Sequence, residues 1–128
     1  MKQKIETQEA PQAIGPYSQA IRVDKTVYLS GQIPLDPKTM TLVSEDFTAQ
    51  AKQVFTNLKA VSHAVGGDLE DIVKLTIYLT DLTHFTYLND MMMQFFKPPY
   101  PARSTIQVSA LPKAAKIEID AVMLLENI

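Results

Sequence analysis

The pattern that most constrains this chain is an amphipathic helix predicted for Phe47 to Val65. Apolar residues recur there at intervals of three and four, which draws one apolar stripe and leaves the remaining helix surface polar. Ser44 or Asp46 can cap its first turn, and Gly66-Gly67 can end it through a left-handed residue. Such a helix buries one side only, so the rest of the chain must supply a surface for that side to cover.

The flanking segments predict that this surface is a sheet. Ile72 to Leu79 alternates like a strand, and a second one-sided helix is predicted for Thr83 to Phe96, capped by Thr83. The apolar stripe of this second helix comprises Phe85, Leu88, Met92 and Phe95. Further strands are predicted at Lys2–Glu6, Ser18–Val23, Thr26–Ser30, Thr105–Leu111 and Lys116–Leu125, the last two paired around Pro112-Lys113. This order indicates a single α+β domain, residues 1–128, with both helices on one face of a six-stranded sheet.

The opposite face of this sheet is predicted to be neither a core nor a plain solvent surface. It carries Ile72, Tyr78, Val122 and Leu124 beside charged side chains such as Glu118. Mixed faces of this kind suit contacts between subunits. We therefore expect a homo-oligomer, with crevices between the subunits where polar groups can meet.

The composition excludes several classes of protein and of site. A length of 128 residues suits one domain and is long enough to bury a core without cross-links. The chain has no cysteine, which excludes disulfides, thiol catalysis and cysteine metal sites. A net charge of −2 and the lack of a Lys/Arg run argue against a nucleic-acid surface. No apolar run suits a signal peptide or a membrane span, so we expect a soluble cytoplasmic protein.

Arg103 is the first candidate for a binding residue. It stands where the loop from Pro99 to Ala102 becomes a strand, and a guanidinium can hold a carboxylate with two parallel hydrogen bonds. Alternation places it on one face with Thr105, and an even hairpin loop would add Glu118 and Asp120 to that face. A carboxylate there can position or activate a water. The residues alone leave two alternatives open, a solvated arginine and a surface ion pair worth about 0–1 kcal/mol.

Other residues offer weaker signals. Gly31, after Ser30 at a strand end, lets the backbone approach a ligand closely, although a turn glycine is the commoner reason for such a residue. Tyr17 follows a rigid turn and can close a pocket, or simply pack at the start of a strand. His63 and His84 have no partner at metal-ligand spacing, so we expect no metal.

Several motifs, taken together and in order, resemble the RidA (YjgF) family over essentially the whole chain. They are Gly15-Pro16-Tyr17-Ser18-Gln19-Ala20, Tyr28-Leu29-Ser30-Gly31-Gln32-Ile33-Pro34, Pro101-Ala102-Arg103-Ser104-Thr105 and Leu111-Pro112-Lys113 followed by Lys116-Ile117-Glu118-Ile119. The resemblance implies a chorismate-mutase-like fold, a mixed six-stranded sheet with two helices on one face, and a homotrimer with sites in its clefts. It also implies hydrolysis of reactive 2-imino acids, such as 2-iminobutanoate and 2-iminopropanoate, to 2-keto acids and ammonia without a cofactor or metal.

The resemblance also assigns site residues position by position. Arg103 falls on the arginine that holds the substrate carboxylate, and Glu118 falls on the acidic residue associated with the hydrolytic water. The positions that fall on the pocket are Tyr17, Ser30, Gly31 and Asn89, together with Thr105, which stands where many members carry a cysteine. The implied partner is a small 2-imino or 2-keto acid. The alternative is a non-catalytic protein that binds 2-keto acids, with a regulatory or chaperone-like role, because the same arginine can hold such an acid without turnover.

Overall fold

The sheet and the two helices form one mixed α+β architecture. The computed structural model describes residues 1–126, and positions 127 and 128 of the predicted domain lie outside the described residues. The elements are β1 (Gln3–Ile5), β2 (Ala20–Val23), β3 (Thr26–Gln32), α1 (Phe47–Ala64), β4 (Ile72–Leu79), α2 (Phe85–Phe95), β5 (Ala102–Gln107) and β6 (Ile117–Leu124). The sheet order is β1-β2-β3-β6-β4-β5. Every neighbouring pair is antiparallel except β4 and β5, which confirms the expected mixed six-stranded sheet.

Helix α1 forms as the sequence predicts. The Asp46 side chain accepts a hydrogen bond from the Ala49 N–H at 2.9 Å, which satisfies one of the donors left open at a helix start. The helix ends at Ala64, one residue earlier than expected. Its apolar stripe is buried against the inward side chains of the sheet, so both helices share one core with one face of that sheet.

Helix α2 begins later than expected. A short 3₁₀ turn, Leu82–His84, precedes it, and the Asp81 carboxylate accepts from the Thr83 N–H at 2.9 Å. Asp81 therefore caps this turn, and the prediction that Thr83 caps the helix is wrong. Phe85, expected in the buried stripe, is 40% exposed, whereas Leu88 is fully buried.

The predicted pairing of the last two strands is wrong. Strand β5 ends at Gln107 and runs parallel to β4, while β6 lies between β3 and β4 and is antiparallel to both. The reason is α2, because a strand–helix–strand crossover returns the next strand parallel to the first. The connection from β5 to β6 is a longer loop in which Lys113 and Ala114 both have positive φ.

This topology changes which residues share a face. Arg103 pairs with Leu75, which is fully buried, so Arg103 lies on the side of the sheet that the helices cover. Glu118 pairs with Tyr78, and both lie on the other side of the sheet. Asp120, two positions after Glu118 on β6, lies on that side as well. The expectation that Arg103 and Glu118 share a face is therefore wrong within one protomer, because it depended on the hairpin.

The side of the sheet that faces away from the helices, the open face, carries large apolar groups. Tyr28, Ile106 and Leu124 are each about half exposed there, at 53%, 45% and 44%. The pairing between β4 and β6 is irregular between Ile72 and Lys74, and this irregularity turns Ile72 into the core. The prediction that Ile72 lies on the open face is therefore wrong. The homo-oligomer stays a prediction. Within residues 1–126, neither helix has the length and apolar character needed to cross a membrane.

Candidate functional site

One group of predicted site residues surrounds Arg103. Its Nη1 donates to Asn89 Oδ1 at 2.9 Å, and its guanidinium lies 5.0 Å from the centre of the Phe85 ring. Phe85 and Asn89 are four residues apart on α2, so they share one side of that helix and meet β5 together. The ring face attracts the cation, and the amide oxygen fixes one arm of the guanidinium.

Thr105 completes this group, which we call the arginine cluster (Phe85, Asn89, Arg103 and Thr105). It follows Arg103 by two positions on β5 and therefore points to the same side of the sheet. Its Oγ1 is buried, and within residues 1–126 it has no hydrogen-bond partner. Burial lowers the pKa of the Arg103 guanidinium, which nevertheless stays charged at neutral pH. The cluster thus contains a cation held by Asn89 and, within residues 1–126, a buried hydroxyl without a hydrogen-bond partner.

The second group lies in a depression of about 490 Å³ that reaches the open face. We call it the acidic depression, and its lining comprises Tyr17, Leu29, Ser30, Gly31, Ile33, Pro112, Glu118 and Asp120. The Ser30 hydroxyl donates to the Ser18 carbonyl at 2.6 Å, so its proton is already used within the protein. Tyr17 is 54% exposed at this lining, and its hydroxyl accepts a hydrogen bond from the Ile14 N–H at 3.4 Å.

Gly31 leaves room for the carboxylate of Glu118. A Cβ built on Gly31 would collide with Glu118 Oε2 and would lie 3.0 Å from its Cδ. Strand β3 is irregular between Leu29 and Gln32, which brings this part of its backbone up to β6. The structure places the Glu118 side chain against Gly31, while contact of a ligand with the Gly31 backbone stays a prediction.

The electrostatics of the depression make the Glu118 carboxyl a weaker acid than usual. Burial, and secondarily the charge of Asp120, raise the pKa of the Glu118 carboxyl. The Tyr78 hydroxyl donates to Asp120 Oδ2 at 2.9 Å. That hydrogen bond is the main reason why the pKa of Tyr78 is raised. The depression therefore holds two neighbouring acids, one with a phenol donor and one without.

The two groups do not meet within one protomer. The arginine cluster lies on the helix-covered side of the edge strand β5, whereas Glu118 lies on the open face of β6. The structure thus brings Arg103, Asn89 and Thr105 together, and it brings Tyr17, Ser30, Gly31 and Glu118 together. A site that uses both groups needs a second copy of the chain, in which the open face of one copy approaches the β5 edge of another.

Sequence reasoning missed two residues in these groups. Phe85 was assigned to the buried stripe of α2, although its spacing of four from Asn89 is a signal that both face the same neighbour. Asp120 was noticed on the face of Glu118 but was given no role, and its bond to Tyr78 depends on strand pairing that the sequence did not reveal.

A larger groove of about 830 Å³, lined by residues such as Asp68, contains none of the predicted site residues.

The histidines do not form a site. His63 Nε2 lies 3.2 Å from Asp68 Oδ1 beside the end of α1, and His84 stacks on Phe47 with ring centres 4.3 Å apart. Within residues 1–126, no three potential metal ligands come together. The two histidines have local structural contacts, and within residues 1–126 neither side chain is hydrogen-bonded to the groups described above.

Known proteins match this chain over almost its whole length. A family model described as Endoribonuclease L-PSP matches residues 7–125. The chain is 52% identical over 123 residues to Protein DfrA of Myxococcus xanthus, covering 94% of each. It is 46% identical over 125 residues to the 2-iminobutanoate/2-iminopropanoate deaminase of Dermatophagoides farinae, covering 98% of each. The crystal structure of RidA from the Antarctic bacterium Psychrobacter sp. PAMC 21119 matches with a TM-score of 0.93 and 50% identity, over 96% of this chain and 99% of that chain.

Proposed function

Because this chain belongs to the RidA (YjgF) family, we propose that it hydrolyses reactive 2-imino acids to 2-keto acids and ammonia. The observation that carries the proposal is the state of Arg103. Its guanidinium is half-buried, it is held by Asn89, and within residues 1–126 no carboxylate lies at ion-pair distance from it. A partly desolvated cation without an acidic partner is a binding site for an anion. A relative at 46% identity carries the name of this deaminase activity.

The arginine cluster suits the carboxylate of a small 2-imino acid. Asn89 occupies one N–H of the guanidinium, which leaves the others free for two parallel hydrogen bonds to the substrate. The Phe85 ring, which is 40% exposed, lies beside the guanidinium and can contact a short alkyl side chain. Binding energy from these contacts would hold the C=N carbon in position for attack.

Glu118 suits the chemistry at that carbon. In the protonated imine, water forms the new C–O bond while the C=N π pair moves to nitrogen, and Glu118 takes the proton that water releases. Glu118 then gives this proton to the nitrogen of the carbinolamine. The C–N bond breaks, its electron pair leaves with ammonia, and the hydroxyl proton passes to Glu118 as the keto group forms. The net change is one water consumed and one ammonia and one proton released.

We propose that the site forms between subunits of a homotrimer. The arginine cluster of one copy would meet the acidic depression of the next, since the two groups lie on opposite sides of the sheet. The apolar side chains of the open face, Tyr28 and Leu124 among them, support burial against another copy. Mixing Arg103→Ala with Glu118→Gln chains, then dissociating and reassociating them, tests this. Random association should restore about a quarter of the wild-type activity, because each site has an even chance of receiving each intact residue. No recovery in confirmed mixed trimers contradicts a shared site.

The direct test of the function is imine decay followed by trapping with semicarbazide. We expect the wild-type protein to accelerate loss of 2-iminopropanoate and 2-iminobutanoate, and Arg103→Ala to lose that acceleration. Arg22→Ala is the matched control, because Arg22 lies on β2 and bonds the Asp24 carbonyl, away from both groups. Unchanged imine decay in Arg103→Ala would refute the proposed role of the arginine.

One observation favours a second function, binding of 2-keto acids without turnover. The arginine cluster is complete within one protomer and does not need Glu118. Calorimetry with 2-oxobutanoate separates the two functions when it is combined with the imine assay. Binding without any imine hydrolysis by the wild-type protein supports the binder. Hydrolysis that Glu118→Gln abolishes, while 2-oxobutanoate binding persists, supports the enzyme.

A further inference from the structure

We propose that Asp120, held by Tyr78, is a positioning residue that works with Glu118 as a carboxylate pair in which Glu118 carries the transferred proton. This inference rests on the proposed function, because it concerns the same reaction. It adds a role for two residues, Asp120 and Tyr78, that the proposed mechanism leaves unused.

The geometry supports a pair. Glu118 and Asp120 both line the acidic depression and are separated by two positions on β6, so their Cα atoms are about 7 Å apart on the same face. The Tyr78 hydroxyl reaches across from β4 and donates to Asp120 Oδ2 at 2.9 Å. Gly31 leaves the space in which the Glu118 carboxylate lies. The Asp120 carboxylate is thus held by Tyr78, while the Glu118 carboxylate occupies the space beside Gly31.

The surroundings decide which acid carries the proton. Tyr78 supplies a donor that stabilises the charged form of Asp120, whereas within residues 1–126 no donor is hydrogen-bonded to Glu118. The groups facing Glu118 are Asp120 on its own strand, Tyr78 on β4 and Tyr17 in the loop before β2. The described lining of the depression contains no Lys or Arg. Two neighbouring carboxylates resist carrying charge together, so the proton goes to the acid without a donor.

This division suits the reaction. The nitrogen of the carbinolamine must be protonated before it can leave as ammonia, so the mechanism needs a carboxyl group that both accepts and returns a proton. A glutamate that releases its proton too readily is a poor donor in the second step. The charge of Asp120 makes the protonated form of Glu118 easier to reach, and Tyr78 keeps that charge in place.

The test compares three variants by their pH–rate profiles on 2-iminopropanoate. Asp120→Asn removes the charge and should move the acid limb of the profile to lower pH. At a pH below that limb, each protein's rate is expressed as a fraction of its own plateau rate, and this fraction should be about threefold larger in the variant than in the wild type. The factor of about three is the effect of one charge about 7 Å away in a water-like dielectric. Tyr78→Phe should move the limb in the same direction by less. Asp120→Glu keeps the charge and should leave the limb near its wild-type position.

A titration of the assembled protein separates this inference from the proposed function. Carboxyl carbon NMR of ¹³C-labelled glutamate, with the Glu118 signal assigned from its loss in Glu118→Gln, measures protonation without any turnover. We expect Asp120→Asn to move the Glu118 midpoint to lower pH, in step with the acid limb. An unmoved Glu118 midpoint, or an acid limb that fails to follow it, refutes the inference in a protein that still hydrolyses imines. If the wild-type protein hydrolyses no imine, the proposed function and the proton transfer are both refuted. A Glu118 titration midpoint that moves in Asp120→Asn would still support the carboxylate pair.

Discussion

Replacing Gly31 by Ala tests the packing on which Glu118 depends. The added Cβ would collide with Glu118 Oε2 and lie 3.0 Å from Cδ and 3.2 Å from Cγ, so the side chain must rotate away. The φ angle of Gly31 is not positive, and alanine therefore meets no backbone strain there. The whole effect of the substitution falls on the position of one carboxylate.

The magnitudes differ for stability and for activity. Moving Glu118 off its preferred rotamer costs about 0.5–1.5 kcal/mol. Replacing glycine by alanine at a compatible backbone position returns about 0.4–1 kcal/mol by restricting the unfolded chain. The free energy of unfolding should thus change by about 1 kcal/mol or less. Displacing a reacting group by about 1 Å can cost about a hundredfold in rate, so we expect kcat/KM for imine hydrolysis to fall on that scale.

The assay pairs imine decay with urea denaturation at one protein concentration. A double-mutant cycle with Glu118→Ala isolates the collision, because the added methyl group then has no carboxylate to displace. Gly66→Ala is the control. Gly66 has φ +88° and open space around its Cβ position, so it should lose about 1–2 kcal/mol of stability with no change in kcat/KM. The reasoning fails if Gly31→Ala retains wild-type kcat/KM, or if its effect on stability is the same with and without Glu118.

Three further predictions concern other parts of the molecule. Phe85→Ala removes the ring under Arg103, a contact worth about 0.5–1 kcal/mol, so KM for the imino acid should rise about two- to fivefold; an unchanged KM would mean that the ring does not support the guanidinium. Asp46→Ala removes the cap on the Ala49 N–H and should lower the free energy of unfolding by about 1 kcal/mol in urea titrations, with kcat/KM unaltered. Because burial and Asp120 raise the pKa of Glu118, the folded protein holds that proton more tightly than the unfolded chain and loses stability as the pH rises above the usual glutamate range. Glu118→Gln should therefore be more stable than wild type at neutral pH and not at acid pH; equal stability at both pH values would contradict the burial argument.

The parts of the fold that sequence reasoning predicted well are those with local causes. Helix α1 begins at Phe47 because the apolar stripe and the Asp46 cap are both encoded within one short segment. Strand β4 has the predicted bounds, Ile72–Leu79, because its alternation is strong. In these segments the apolar pattern and the stabilising contacts involve the same few residues, so the local sequence is enough to predict the secondary structure.

The errors in the sheet concern contacts between segments that are distant in the chain. The partner of β5 depends on the crossover through α2, and nothing within residues 102–107 encodes it. The assumed hairpin then placed Arg103 on the face of Glu118, whereas the observed pairing places them on opposite faces of the sheet. Alternation shows which residues of one strand share a face of the sheet. Whether residues of two different strands share a face follows only from how those strands pair. The irregularity beside Val73 changed the side of Ile72 for the same reason.

The hydroxyl of Thr105 gives the arginine cluster a chemical resistance that a thiol there would lack. Peroxide and alkylating reagents attack thiolates, and this chain has no cysteine anywhere. Methionine is the remaining sulfur target, and Met91 and Met92 are buried in the core while Met1 is fully exposed and Met93, four residues after Asn89 on α2, is 59% exposed. Oxidants would therefore reach Met1 and Met93 before the buried methionines. A preparation should keep its activity through treatments that inactivate thiol-dependent hydrolases.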